Sequence, residues 1–568
     1  MTTSREPGSA ALEAVPGSHV INWRQIGGGV EINEAAWTEQ AERIFTPAAI
    51  RMIAKLHREL QDERQQLLAA RLERQKEWDA GALPGYLDDE ASAAAKGDWQ
   101  IAPLNDDLMR RRVEITGPIN DIKMVINMLC RTDSGDLADA AMLDFEDSMK
   151  PAWANIMQGV ENLIGAVDGL LSFVKRAQGD QPGKFYQLDP EDMPLLMVRC
   201  RGLHLSESNL RVDDRPVAGG LMDLALATFH TARKLMTQDK TPKYYVPKVE
   251  HYLEARWWNT LFTRLEDAIG LPQSSLRATF LIETLPAAFQ MEEILYELRD
   301  HATGLNVGRW DKIFSDIKTL KGHADKIMAD RASISLDRPW MKNYAERLIK
   351  ICHRHGAFAM GGMAAFTPGS TPERREEQTK KVVEDKEFEF ALGHDGCWVS
   401  HPYFINPAMS AFTADNQLDV IPEIDDQPDL IPEMTPPRTL DGLRTNIRVG
   451  IAYTKGWHED IGCVAWDDLM EDLATLEISR AQTWQWLHHG ITLDGGEIVT
   501  TDLVVRTFHE ELGKIEDEIR EAMTGADPQA IEAEINKYHH AQQTACAIFT
   551  QEAFRPFLNT SSDLVRRQ

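Results

Sequence analysis

ATFLIETLPAAFQMEEILYELRDHATGLNVGRWD, residues 278–311, decides the fold. A compact apolar run, ATFLIETL (278–285), gives way to an amphipathic stretch, PAAFQMEEILYELRDH, and then to a second apolar run, TGLNVGRWD (303–311). Strand, helix, strand in that order reads as a βαβ unit. Strands buried on both faces are almost continuously apolar, and parallel neighbours need a crossover of helical length. Six further runs of the same kind lie around it: VEITGPI (113–119), AAMLDFEDS (140–148), LLMVRCRG (195–202), YYVPKVE (244–250), AFAMGGMAAF (357–366) and GCWVSHP (396–402). Eight such strands alternating with amphipathic segments close most simply as a (β/α)8 TIM barrel, an α/β fold that carries its chemistry at the strand C-terminal ends.

The rest of the chain is arranged about that barrel. Before it, FTPAAIRMIAKLHRELQDERQQLLAARLERQKEWDAG keeps apolar residues at helical spacing, which predicts an N-terminal helical segment over 1–110. The barrel then spans 111–420, and Pro422, Pro428, Pro432, Pro436 and Pro437 mark a rigid acidic linker that opens a C-terminal helical domain, 421–568. No internal repeat is present. With 61 basic against 89 acidic residues and a formal charge of -28, the chain is not built for a nucleic acid, whose binding runs on Lys/Arg neutralisation of phosphates. The least polar run, AFAMGGMAAF, is too short to span a bilayer, and MTTSREPGSAALEAVPG lacks the apolar core of a signal peptide. Six cysteines without CxxC pairing read as reduced thiols, so a cytoplasmic protein is expected, as a monomer or weak homo-oligomer.

The predicted strand ends hold Asp144, Glu146, Asp147, Arg199, Arg201, Lys248, Glu283 and Asp311. Glu283 and Asp311 end two successive strands and can therefore face one ion. Oxygen ligands with no His or Cys beside them suit Mg²⁺, which keeps several waters and accepts a substrate oxygen. The competing reading makes each carboxylate a helix cap or an arginine partner. For either residue alone that reading is the better one; for the pair at successive strand ends the ion is favoured.

DFEDS (144–148), RCRGLHL (199–205), IETLPAAFQMEEILYELRDH (282–301), GLNVGRWDKIFS (304–315), AFAMGGMAAF and above all LMEDLATLEISRAQTWQWLHHG (469–490) resemble malate synthases of the A type, from about residue 45 to the late 480s. That family joins acetyl-CoA to glyoxylate in the glyoxylate cycle and hydrolyses the malyl thioester, using Mg²⁺, with Mn²⁺ as a substitute, on a barrel whose mouth is covered by a helical C-terminal domain. The resemblance implies Glu283 and Asp311 as metal ligands, Arg199 as the catalytic arginine and Asp472 as the base. Substrate binding falls to Arg199, Gly308, Trp310 and Asp311, with backbone N–H groups near Trp310 and Asp311 holding the glyoxylate carboxylate. Glu146, Asp147 and Ser148 stand where they would orient water around the metal or the CoA end. The implied chemistry is consistent: an ordinary Asp, near pKa 4, cannot deprotonate a thioester methyl group unless a fixed positive charge such as Arg199 stabilises the enolate, and Mg²⁺ would activate the glyoxylate carbonyl.

Five carboxylates crowd CVAWDDLMEDLATLEIS, residues 463–479. A helix over 468–487 puts Asp472 on a stripe with Leu469, Leu476, Ser479 and Thr483, where a carboxylate is costly unless it serves a site. Asp467 and Asp468 are expected to cap that helix, Glu477 to pair with Arg480, and Glu471 to be a structural neighbour of the base. Trp484 and Trp486 are read as packing residues; His488, His489, His539 and His540 lack ligand-spaced companions; Cys463 lacks a partner His and is not read as a nucleophile. Gly361 and Gly362 permit close approach at the barrel top and do not form a dinucleotide loop. Two departures from the family pattern stand out: GCVAWDD where it resembles GCVPIYG, and RWDK, with Lys312, where it has RWDY. They bear on the acyl-thioester wall. The alternatives are a malyl-CoA or citramalyl-CoA lyase on a similar barrel and a silent scaffold of the same fold. The extended LMEDLATLEISR segment disfavours the first, and the set Glu283, Asp311, Arg199 and Asp472 the second.

Overall fold

The computed structural model describes residues 21–176 and 183–566. The N-terminal segment read for a signal peptide lies outside the described residues. Eight parallel strands close on themselves: β1 (Val113–Pro118), β2 (Ala140–Asp144), β3 (Leu195–Arg199), β4 (Lys243–Val246), β5 (Arg277–Ile282), β6 (Ala302–Val307), β7 (Phe358–Ala364) and β8 (Gly396–Val399). Each pairs with the next, and β8 returns to β1 with Cys397 opposite Val113. All eight apolar runs read from the sequence are barrel strands. Every residue of β1, β2, β4, β5, β6 and β8 is buried, which is why these runs are apolar without alternation.

The barrel interior is packed with side chains and leaves no open channel between its ends. Ala140, Met142, Met197, Tyr245, Leu281 and Trp398 fill it. At the strand N-terminal end, Arg111 donates to Glu114 at 2.7 Å, to the Tyr245 hydroxyl at 2.9 Å and to Thr279 at 3.0 Å, while the Trp398 indole donates to Glu114 at 3.0 Å. This buried polar plug is satisfied from several strands at once, as buried polar groups must be.

Ahead of the barrel, α1 (Pro47–Asp79) begins with Thr46 accepting the Ala49 N–H and Pro47 in its first turn. Its buried side chains, among them Ile53, Leu56, Leu60, Arg64, Leu67 and Arg71, recur at helical spacing and face the barrel. The N-terminal part is not wholly helical. Trp23–Gly27 and Val30–Asn33 form a hairpin that joins Ser206–Val212 and Arg215–Ala218 in a four-stranded sheet. The short WRQIG and VEIN runs acquire their buried face only against that distant partner.

After β6 comes α2 (Arg309–Leu320); after the proline-rich segment come α3 (Leu440–His458), α4 (Leu473–His488), α5 (Thr501–Ala522) and α6 (Pro528–Phe549). Leu443, Ile447, Trp457, Leu476, Trp486 and Phe549 form their common core. Both tryptophans pack as read: Trp486 donates to Met328 O at 3.0 Å and Trp484 to Glu552 O at 3.1 Å. The proline-rich segment is pinned along the helix Pro339–Arg354, with Lys350 on Asp426 at 2.8 Å and Asn343 on Asp429 O at 2.9 Å. No helix among the described residues is long and apolar enough to cross a membrane.

The C-terminal part docks across the barrel mouth through backbone as well as side chains. α4 lies along α2. The Met470 N–H donates to Ala365 O at 2.7 Å, the Thr367 N–H to Asp468 O at 2.9 Å and the Leu473 N–H to Asp147 O at 3.2 Å. Gly462 is wedged so tightly that a Cβ there would lie 2.2 Å from Lys150 N. A Gly462→Ala chain should lose about 2–3 kcal/mol in denaturant unfolding, because backbone must move to admit the methyl group. Gly513→Ala, in α5 with nothing within 4 Å of its Cβ position, should gain about 0.5–1 kcal/mol from helix propensity alone.

Candidate active site

The site starts where β2 ends. Asp144 is fully buried and receives Arg199, from the end of β3, through two parallel bonds of 2.7 and 2.6 Å. Asp144 also accepts the Glu146 N–H at 2.8 Å and the Ser148 N–H at 2.9 Å. One carboxylate thus fixes both the arginine and the DFEDS loop. Burial alone would push Asp144 up, but Arg199 and the Ser148 bonds hold it below the ordinary carboxylate range. The remaining guanidinium nitrogen lies 3.6 Å from Glu146 and 4.0 Å from Asp147.

Lys248, two residues beyond β4, occupies the centre. Its ammonium lies 2.6 Å from Asp147, 3.0 Å from Glu146 and 3.1 Å from Asp311, while its backbone N–H donates to Glu283 at 2.8 Å. Glu146, Asp147, Glu283 and Asp311 are all buried. Burial first, and the neighbouring carboxylates second, push Glu146 and Asp311 far above their ordinary values; Glu283 is raised too, chiefly by burial. Buried oxygens of Glu146, Asp147 and Asp311 lack hydrogen-bond partners; Asp311 Oδ1 faces the Lys248 ammonium without hydrogen-bond alignment. The donor set is all oxygen and short of positive charge, so it fits a hard divalent cation such as Mg²⁺. Among the described residues no group of three or more His, Cys, Asp or Glu is arranged to hold a metal ion by itself.

Glu283 and Asp311 meet because β6 turns directly into α2. Gly308 caps that helix with no side-chain bond, and a Cβ there would sit 2.7 Å from Glu283 Oε2. Lys312 makes the first return bond, to Gly308 O at 3.0 Å. The N–H groups of Trp310 and Asp311 accordingly point out of the first turn, a ready anion site. Lys312 faces away from the site, fully buried and 2.5 Å from Asp316.

The segment after the linker departs from its expected form. Val464–Trp466 and Leu469–Glu471 make a two-stranded hairpin, and helix α4 starts only at Leu473. Asp467 and Asp468, with φ of 47° and 64°, are the hairpin turn and not helix caps. Asp tolerates the left-handed region that such a turn demands. They pair outward with Arg448 at 3.0 Å and Arg374 at 2.7 Å. Asp472 is itself the cap: it accepts the Thr475 N–H at 3.3 Å while the Thr475 hydroxyl receives the Asp472 N–H at 3.0 Å. Glu471 pairs with Arg331 at 2.7 Å, and Glu477 with Arg480, as expected, at 2.6 Å. Burial, then the charge of Asp147, pushes the Asp472 carboxyl up to about 7.

Arg199, Glu283, Gly308, Trp310, Asp311, Asp147, Ser148 and Asp472 line one cavity, walled by Leu281, Met363 and Trp398. Cys463 lines it too, its thiol pushed up to about 12 chiefly by burial and so not poised as a nucleophile. Glu146 and Glu471 stay behind the wall. Thr116, Met124, Ser400 and Met470 also border a wider outer groove, with Lys123, Arg131 and Lys184 along it.

Family models for malate synthase match in three consecutive pieces: the N-terminal domain over residues 30–92, the TIM barrel domain over 195–430 and the C-terminal domain over 437–563. Malate synthase of Myxococcus xanthus is 43% identical over 507 residues, covering 88% of this chain and 91% of that protein. Malate synthase A of Escherichia coli is 42% identical over 492 residues, with coverage of 85% and 90%. The glyoxysomal malate synthase of Gossypium hirsutum is 40% identical over 519 residues, 89% of each chain. The chain belongs to the malate synthase family.

Malate synthases are acyltransferase enzymes, and in this member Arg199, Glu283, Gly308, Trp310, Asp311, Asp147, Ser148 and Asp472 border one cavity, whereas Glu146 and Glu471 do not line it. Two partners were not singled out from the sequence. Asp144 was visible only as a strand-end acid, with nothing to say that it would take Arg199. Lys248 was visible in YYVPKVE, where a lysine ending a buried strand is itself a signal, because an unpaired buried ammonium is rarely tolerated. Asp144→Asn should cost about 3 kcal/mol in urea unfolding, since it leaves a buried guanidinium half-paired. It should also depress turnover at least tenfold in a thiol-release assay as Arg199 loses its fixed direction.

Proposed function

We propose that this malate synthase condenses acetyl-CoA with glyoxylate in the cavity described and then hydrolyses the malyl thioester, with Mg²⁺ held by Glu283 and Asp311 and Mn²⁺ as a substitute. One observation carries the reading: Asp472, borne by the docked C-terminal part, faces the same cavity as Arg199 and the free N–H groups of α2. When bound, the cation would make the glyoxylate carbonyl electrophilic and offset the charge that builds on its oxygen.

The protein's own groups account for the rest. The α2 N–H groups of Trp310 and Asp311 hold the glyoxylate carboxylate. The outer groove, with its three cationic side chains, takes the phosphate-bearing end of CoA and leads the acetyl thioester past Met124 and Met470. Asp472 removes a methyl proton; its upward shift makes it a stronger base than an ordinary Asp while keeping a substantial share of it ionised near neutral pH. Arg199, clamped by Asp144 and therefore unable to swing away, directs its free edge at the enolate oxygen. A fixed donor of this kind contributes about 3 kcal/mol in a water-poor site. Leu281, Met363 and Trp398 keep water from the enolate until carbon–carbon bond formation is complete. All six cysteines are free, which supports a reducing compartment such as the cytoplasm.

The reading is tested by mixing acetyl-CoA, glyoxylate and Mg²⁺ and following free thiol and malate together. Equal release of both is expected; accumulation of malyl-CoA would mark a lyase instead, and neither product would exclude both enzymes. EDTA should abolish the reaction and Mg²⁺ or Mn²⁺ restore it. Because Asp472 acts only as the carboxylate, kcat/KM should fall about tenfold per pH unit on the acid side. A nearby dication draws its value down, so that limb should lie below about 7 yet above the ordinary carboxylate range near 4. A profile flat to that lower limit would remove Asp472 from the role of base.

A further inference from the structure

Lys248 stands at the centre of the site, yet the condensation does not use it. It adopts φ of 53°, a left-handed conformation unfavourable for any residue with a Cβ. Such backbone persists where its surroundings over-determine it. Here they do so from both sides of the barrel wall. The Lys248 carbonyl accepts the Arg71 guanidinium of α1 at 2.8 Å, and the same arginine grips Glu254 at 2.6 Å. The Lys248 N–H holds Glu283 at 2.8 Å, and its side chain reaches Asp147, Glu146 and Asp311 within 3.1 Å. One residue therefore touches both proposed metal ligands, one through its backbone and the other through its ammonium.

The charge arrangement gives this contact a direction. Arg199 is committed to Asp144, which leaves Lys248 as the closest cation to the other carboxylates. Without it, Glu146, Asp147, Glu283 and Asp311 would repel one another in a buried space. With it, any cation that takes Asp311 meets an ammonium already within 3.1 Å of that ligand, and like charges at such range oppose each other strongly.

We propose that Lys248 is a positioning residue that serves as the site's internal counter-cation: it assembles the carboxylates and competes with the divalent metal for Asp311, so that it sets metal affinity. The inference rests on the reading of Glu283 and Asp311 as metal ligands. It differs from a plain structural role in one consequence: removing the charge should tighten metal binding while weakening the protein that lacks metal.

Full-length protein titrated calorimetrically with Mg²⁺ alone tests it. Lys248→Met should bind Mg²⁺ about tenfold more tightly than the parent, and its Tm without metal should fall while the rise in Tm on adding Mg²⁺ grows. Lys248→Arg, which keeps the charge, should stay within about threefold of the parent affinity. Equal or weaker Mg²⁺ binding by Lys248→Met overturns the competition, and an unchanged metal-free Tm overturns the assembling role. If Lys248→Met does not fold, ¹⁵N-lysine NMR of the parent decides: a buried ammonium signal that shifts on Mg²⁺ addition supports the proposal, and one that ignores Mg²⁺ overturns it. A parent that binds no Mg²⁺ overturns the metal reading as well, whereas a parent that binds it with an indifferent Lys248→Met overturns only this inference.

Discussion

Carboxylate crowding is the constraint around which the barrel mouth is built. Asp144, Glu146, Asp147, Glu283, Asp311 and Asp472 are buried together, and among the described residues Arg199 and Lys248 are the cations whose charge acts on this group. Burying a carboxylate without a partner is prohibitively unfavourable. The arrangement is stable only because each cation is used with directional economy: Arg199 as a two-bond fork on Asp144, and Lys248 as a three-way ammonium. What remains uncompensated is the feature that suits the site to a dication and to a base of raised pKa.

The surrounding architecture serves that cluster. The barrel contributes strand ends that converge without adjustment, since successive parallel strands deliver Glu283 and Asp311 to neighbouring positions. From outside, α1 fixes the left-handed turn at Lys248 through Arg71. From above, the C-terminal part supplies Asp472 at the start of α4 and seals the cavity through three backbone bonds to the barrel loops. The capping box that begins α4 does two things at once: it satisfies the helix end and holds the Asp472 carboxylate at the cavity wall. On the proposed mechanism, proton abstraction and electrophile binding are thus divided between two parts of the chain and meet only when those parts are docked.

Much of this could be read from residues alone, and the exceptions have physical causes. The eight strands were legible because double-sided burial leaves an unbroken apolar run. Glu283 and Asp311 were legible as a pair because successive strand ends are where such a barrel exposes polar groups, whereas Arg199 was singled out from Arg201 by the resemblance of RCRG. The hairpin at 464–471 was not, since two three-residue strands carry too little alternation to register and Asp suits a left-handed turn as well as a helix cap. The pairing of Asp144 with Arg199 was hidden for a different reason: two adjacent strand ends each offered several candidates, and only backbone direction chooses among them. The Trp23–Asn33 hairpin likewise has no local signature strong enough to reveal a partner strand some 180 residues away. Glu471 and Asp472, adjacent in sequence, are separated in space by the strand-to-helix break between them, which turns one toward Arg331 and the other into the cavity.

That separation gives the most direct test of the account. Exchange of the acetyl-CoA methyl protons into deuterated water, followed by NMR with Mg²⁺ and a non-reacting glyoxylate analogue bound, isolates proton abstraction from condensation. The parent must first show a measurable rate. Asp472→Asn should then retain analogue binding by calorimetry and lose exchange by at least about a hundredfold, while Glu471→Gln should exchange at a rate close to the parent's once its lower stability is allowed for. Exchange at the parent rate by Asp472→Asn, or its loss in Glu471→Gln alone, would contradict the assignment of the base and with it the account of how the two parts of the chain share the reaction.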